Sequence, residues 1–141
     1  MKRLALLIAP FALISLLVLA GCGKSAGGGG SSQTSTPANT IQMDTNNFTA
    51  HAITVQASQP VTLDDTVDGG ALHILCVGTG NGGSNTCATT DTTGGGAPKD
   101  FIGQGMQVQA GDKKTVTFTK AGTYHVICTL HGGMFIDVTV Q

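Results

Sequence analysis

Apolar side chains between residues 41 and 140 recur at every second position, in short runs cut by turn residues. Ile41 and Met43 alternate with Gln42 and Asp44, and Ile53, Val55 and Ala57 share one face of residues 51–57. After the Gln59-Pro60 break, Val61 and Leu63 resume the same period. Val116 and Phe118 alternate with Thr115, Thr117 and Thr119, and Tyr124, Val126 and Cys128 make another set. Met134, Ile136, Val138 and Val140 stand opposite Phe135, Asp137 and Thr139. Successive side chains of a strand point to opposite faces, so each run offers one apolar face to a core. Turn signals separate the runs at Asp68-Gly69-Gly70, Ala110-Gly111-Asp112, Ala121-Gly122-Thr123 and Gly132-Gly133. No helical period competes with this one. The chain has 21 glycines and no glutamate, and Gly in a helix interior costs about 1 kcal/mol against Ala. Thr and Val instead suit the pleated surface of a sheet. The expected class is all-β, a sandwich or barrel of short strands.

The amino end stands apart from that domain. Met1-Lys2-Arg3 is basic, and Leu4 to Ala20 is a nearly unbroken apolar run of 17 residues leading into Leu19-Ala20-Gly21-Cys22. A basic start, an apolar stretch and a small-residue ending read as a secretory leader. The ending resembles the bacterial lipobox, in which the leader is cut before the cysteine and the cysteine is lipidated. Residues 1–21 are then the signal peptide and Cys22 the lipid anchor. An uncleaved membrane-spanning helix is the competing reading, because the run reaches only the lower edge of spanning length. Either way the expected location is extracytoplasmic and membrane-anchored, on the periplasmic or outer cell-surface side. Residues 22–38 continue as a Gly- and Ser-rich tether with too little apolar surface to order itself, and a mean reach of roughly 20–24 Å. Residues 39–141 are the globular domain, large enough for one core.

Charge narrows the partners. Seven Lys+Arg against eight Asp give a formal net −1, and without the leader five lysines face eight aspartates. No basic stripe exists to meet a phosphate backbone, so nucleic acid is not an expected partner. Asp64, Asp65 and Asp68 crowd one turn and are expected to form an acidic patch able to steer a basic partner.

Four cysteines need four explanations. Cys22 goes to lipid, and Cys128 lies in the run from Tyr124 to Met134. Cys76 and Cys87 bracket the start of residues 78–100, a Gly-rich stretch with no apolar periodicity. In an exported protein, two remaining cysteines are a natural disulfide pair. Free thiols or a zinc pair are the alternatives, and zinc lacks a second close-spaced Cys or His pair nearby. A loop as long as 78–100 inside a compact domain is usually pinned or functional.

Cys128-x2-His131-x2-Met134 gathers a thiolate, an imidazole and a thioether within seven residues, where Gly132-Gly133 turns the chain back. Thiolate and thioether are soft ligands and imidazole is borderline, a set that selects copper over magnesium, calcium or manganese. A blue-copper centre uses two His, one Cys and a weak axial Met, so one further His is needed. His125 stands an odd number of residues from Cys128 and faces the other way. His51 precedes an early strand, far from any chemistry. His73 is the lone polar residue of the apolar strand Ala71–Val77 and needs a partner there. His73 is the choice, and Cys76, three residues on, faces away from it. Each residue also has a plain structural reading: His73 a satisfied core histidine, Met134 a core residue in phase with Ile136, Cys128 a buried inert thiol.

With these residues in view, the chain resembles the cupredoxins of the plastocyanin, amicyanin and auracyanin group. The likeness covers most of 39–141: Ile41, Met43 and Phe48 at the opening, ITVQASQPVTL at 53–63, His73, AGTYHVICTLHGGM at 121–134 and FIDVTV at 135–140. The short C-x2-H-x2-M loop is most similar to that of amicyanin. The resemblance implies a Greek-key sandwich of seven or eight strands, with Tyr124 as its tyrosine corner. It implies one type 1 copper ion, with His73, Cys128 and His131 as equatorial ligands and Met134 as the axial one. Ile74 departs from the pattern, standing where these proteins often have the Asn that braces the cysteine loop. Ile127 stands where plastocyanin has a surface aromatic, and the 78–100 insertion lies outside the common pattern.

The expected function is a monomeric, membrane-tethered blue copper protein that shuttles one electron between extracytoplasmic redox proteins. Leu130, Gly132 and Gly133 would give His131 an uncharged docking surface. A copper chaperone or scavenger lipoprotein is the alternative, but such proteins favour Met- and His-rich surfaces and this chain has four Met. No enzyme is expected. Ile127 and Thr129 flank Cys128 where multicopper oxidases need His, and the ligand loop has one Cys where a binuclear centre needs two. No local signature supplies a cysteine nucleophile with a base and oxyanion donors.

Overall fold

The structure, a computed structural model, describes residues 38–80 and 84–141. The leader, Cys22 and the tether as far as Pro37 lie outside the described residues. Nine strands are described: β1 (Thr40–Gln42), β2 (Ala52–Val55), β3 (Pro60–Asp64), β4 (His73–Thr79), β5 (Thr86–Cys87), β6 (Met106–Val108), β7 (Lys113–Thr117), β8 (Gly122–Cys128) and β9 (Phe135–Val140). Two short 3-10 turns, Val67–Gly69 and Lys99–Phe101, are the described helical elements.

The strands form two sheets. One is ordered β1-β3-β7; the other is β2-β9-β8-β4, with β5 and β6 each pairing with a different stretch of β4. β1 runs parallel to β3 and β2 parallel to β9, while the other pairs are antiparallel. Parallel neighbours cannot be joined by a tight hairpin. The chain accordingly crosses from β1 to β2 in the other sheet, returns to β3, and crosses again to β4. This is the all-β sandwich expected from the alternation.

One apolar core lies between the sheets. Ile41, Val61, Leu63, Val116 and Phe118 meet Val55, Val126, Ile136, Val138 and Val140 there, so the alternating positions land on the inner faces. Fully burying one such side chain contributes about 1.5–3 kcal/mol, which makes a slip of register by one residue prohibitive. Phe101, from a segment without alternation, also fills the core and meets Phe118 edge-on at 6.1 Å between ring centroids. Tyr124 forms the expected corner: its hydroxyl donates to the Lys120 carbonyl at 2.7 Å and its ring packs on Phe118.

The described part of the Gly-rich insertion is pinned rather than loose. A disulfide joins Cys76 to Cys87, as the cysteine count led one to expect. Ala88 donates to the Val77 carbonyl at 2.8 Å, and Thr119 donates to that of Gly96 at 2.9 Å. Asp91 caps the far turn, accepting from the Thr93 backbone and hydroxyl and from the Ala97 N–H. β5 and β6 take the described strands beyond the seven or eight expected. At two and three residues, they are too short to show a period.

Candidate metal centre

β4 and β8 are antiparallel neighbours, with Leu75 opposite Cys128. His73 opens β4 and Cys128 closes β8, so both side chains sit at one end of the sandwich. His73 shares its face with Leu75 and Val77, and Cys128 with Val126, so both point into the core. Beyond Cys128 the chain makes a tight return. The Cys128 N–H donates to the Met134 carbonyl at 3.1 Å, and the Met134 N–H to the His131 carbonyl at 3.2 Å. Gly133 takes φ +81°, a conformation that favours glycine. The return folds His131 back over Cys128.

Three donor atoms converge as a result. Cys128 Sγ lies 3.7 Å from His73 Nδ1 and 3.4 Å from His131 Nδ1. All three atoms are within 4.8 Å of one another, and the group could hold a metal ion. Metal–donor bonds of about 2.0–2.3 Å in a trigonal arrangement separate nitrogen from sulfur by about 3.5–3.8 Å. The observed 3.7 Å lies in that range and the observed 3.4 Å just below it. His73 and Cys128 are buried, and the His73 and His131 rings meet edge-on at 4.9 Å. Met134 is buried at the end of the return, in phase with Ile136 as expected.

Neighbouring groups fix the His73 imidazole. His73 Nε2 donates to the Asp44 carbonyl at 3.1 Å and lies 3.5 Å from Asp65 Oδ1. With the proton held on Nε2, the Nδ1 lone pair faces the thiol, the form a metal requires. Burial pulls the pKa of His131 below the usual histidine value and His73 adds to the effect, while Asp65 opposes it. A neutral His131 is likewise ready to bind. Burial raises the Asp65 carboxyl above its usual range, against the Ala71 N–H and His73.

Other expectations sort clearly. His125 faces away from Cys128: its Nδ1 lies 2.7 Å from Asp137 and its Nε2 3.0 Å from the Gly80 carbonyl. His51 lies against Phe135, outside the cluster. Leu130 is 48% exposed beside the half-buried His131, with Gly132 exposed and Gly133 half-buried. One reading changes. Asp64 and Asp65 are buried, Asp64 on Lys113 and Asp65 beneath His73, so only Asp68 of the three remains a surface charge. Ile127 is itself fully buried.

Two residues escaped the sequence reading. Asp65 looked like one of a run of surface acids. Asn85 stands among Gly, Ser and Thr in the insertion, yet its Nδ2 donates to the carbonyls of Cys128 at 2.6 Å and His131 at 3.0 Å. The cysteine loop therefore has an asparagine contact although Ile74 follows His73. The departure at Ile74 is the one sequence signal that prompts a search for it.

Residues 35–141 match the sequence profile of the copper-binding proteins of the plastocyanin/azurin family. No curated protein sequence matches the chain. Among solved structures, a reduced amicyanin mutant aligns with a TM-score of 0.50 at 18% identity, covering 74% of this chain and 83% of its own. A Cu(I) amicyanin mutant gives 0.50 at 17%, covering 77% and 87%. A purple cupredoxin from Nitrosopumilus maritimus gives 0.50 at 16%, covering 72% and 98%. At such identities these likenesses show the fold.

Proposed function

The chain belongs to the plastocyanin/azurin family of copper-binding proteins, and from that premise we propose that it is a one-electron carrier tethered to a membrane. The observation that carries the reading is the convergence of His73 Nδ1, Cys128 Sγ and His131 Nδ1 on one small volume. His73, Cys128 and His131 would hold the copper, and Met134, buried at the end of the same loop, would be its fourth and weaker ligand. Bound there, copper would supply a one-electron Cu(I)/Cu(II) couple.

The chain's own residues make that couple useful. The bond from His73 Nε2 to the Asp44 carbonyl holds the ring in one orientation. The backbone bonds between Cys128, His131 and Met134 hold the loop. Ligands held this firmly move little when the charge changes, and slight rearrangement is what fast exchange requires. Burial of Cys128 and His73 keeps water from the thiolate. The His131 edge, flanked by exposed Leu130 and Gly132, offers an uncharged contact for a redox partner. Transient electron-transfer contacts are small, below about 1,200 Å².

Residues 1–21 as leader, lipidated Cys22 and the tether to 38 would hold a monomeric 39–141 domain at an extracytoplasmic membrane surface. There it would exchange electrons with redox proteins of that compartment. Voltammetry of the copper-loaded soluble domain separates a carrier from a scavenger. A carrier gives a reversible one-electron wave, with copper retained over many cycles. Release of the ion in either oxidation state would favour the scavenger.

A further inference from the structure

Asn85 is bonded to both ends of the His-bearing half of the ligand loop. Its Nδ2 carries two protons, and both go to carbonyls of proposed ligand residues, Cys128 at 2.6 Å and His131 at 3.0 Å. Among side chains of this size, an amide does this: a carboxylate of the same shape offers no proton, and a hydroxyl offers one.

The segment that carries Asn85 is fixed to the sheet beside the ligand loop. Two residues on, Cys87 is bonded to Cys76 of β4. Thr86 and Cys87 pair with Thr79 and Gly78. A side chain at Gly78 would strike the Thr86 carbonyl, and one at Gly80 would strike Asn85 Oδ1, so these glycines permit the close approach. His125 reaches across from β8 to the Gly80 carbonyl at 3.0 Å.

We infer that Asn85 is a positioning residue for the copper centre, and that the disulfide-stapled insertion exists in part to present it. The inference rests on the copper reading above. The amide ties the Cys128 and His131 backbones together, so the sulfur and the half-buried imidazole keep their separation from inside a Gly-containing loop. Partners behind metal ligands typically contribute about 10–100-fold to metal affinity.

Asn85→Asp keeps the shape, removes both donors and sets a negative charge against two carbonyl oxygens. The copper-loaded variant should bind copper about 10–100-fold more weakly than wild type, with its visible band displaced. In the copper-free protein, the amides of Thr129–Met134 should exchange with solvent faster while circular dichroism stays that of the wild type. Asn85→Ser, with one donor, should fall between the two, and it carries the test if Asn85→Asp does not fold. Wild-type copper affinity, band and loop exchange in these variants would overturn the inference. A Cys76→Ala/Cys87→Ala variant should weaken copper binding in the same direction, and adding Asn85→Ala to it should cost less than Asn85→Ala alone. Strict additivity would overturn the role given to the staple. If wild type itself gave no visible band with copper, the copper reading would fail, and loop exchange in the copper-free variants would still decide whether Asn85 braces the loop.

Discussion

Removing the Cys76–Cys87 bond should destabilise the domain by about 3 kcal/mol. The bond closes a loop with a sequence separation of 11, and chain-entropy loss in the unfolded state for a loop of that size corresponds to about this amount. For a domain near one hundred residues, each kcal/mol moves the melting temperature by about 4–8 °C, so the expected fall is roughly 10–25 °C. The comparison is between the oxidised wild type and Cys76→Ala/Cys87→Ala, both copper-free, because bound copper would add its own stabilisation by mass action. Chemically reduced wild type serves as a second arm without any change of side chain. Melts followed by circular dichroism at matched pH read the difference. Because the bond acts mainly on the unfolded chain, the variant should keep the wild-type spectrum before melting. A fall of less than about 4 °C in both arms would show that the insertion is ordered by its backbone and side-chain bonds alone, and would refute the argument.

Leu130→Asp should slow electron exchange with a redox partner while leaving the copper band unchanged; equal rates would place the electron's exit elsewhere. Gly132→Glu tests the same surface, and is preferable to a change at Gly133, whose φ of +81° would strain the ligand loop in any variant. Met134→Leu should keep copper and shift its potential, and outright loss of the metal would show that Met134 holds rather than tunes it. Burial opposes the charged form of His125, but the Gly80 carbonyl and Asp137 more than offset it and leave its pKa above the usual histidine value. A raised folded pKa gives stability that is complete below the unfolded pKa and is lost as pH rises through the folded one. Copper-free wild type should therefore lose stability relative to His125→Gln as pH rises above the usual histidine value of about 6.5, and parallel pH profiles from denaturant titrations would count against the Gly80 and Asp137 ties.

The sheets were legible because burial in a sandwich imposes a period of two, and Val61, Leu63, Val126, Ile136 and Val138 obey it without interruption. Cys128 and His131 were legible for a related reason: a short loop between strands fixes which side chains can return to the strand end. His73 followed from the cost of an unpartnered polar group in an apolar strand. The rest depends on long-range placement that no local pattern records. Asp65 carries the same letter as exposed Asp68, and only the turn at Val67–Gly69 and the proximity of His73 put it inside. Asn85 lies 43 positions from Cys128, in a stretch whose composition suggests only flexibility. Its role emerges once the disulfide, Gly78 of β4 and Gly80 just beyond it let that stretch lie against the sheet.

The central claim is that Cys128 is a copper-bound thiolate, held with His73 and His131 in one buried centre. One equivalent of Cu(II), added to the folded soluble domain, tests it most directly. An intense visible thiolate-to-copper band should appear, saturate at one ion per chain and be absent from folded Cys128→Ser. A folded wild-type domain that stays colourless with copper present, or a band that survives in Cys128→Ser, would contradict it.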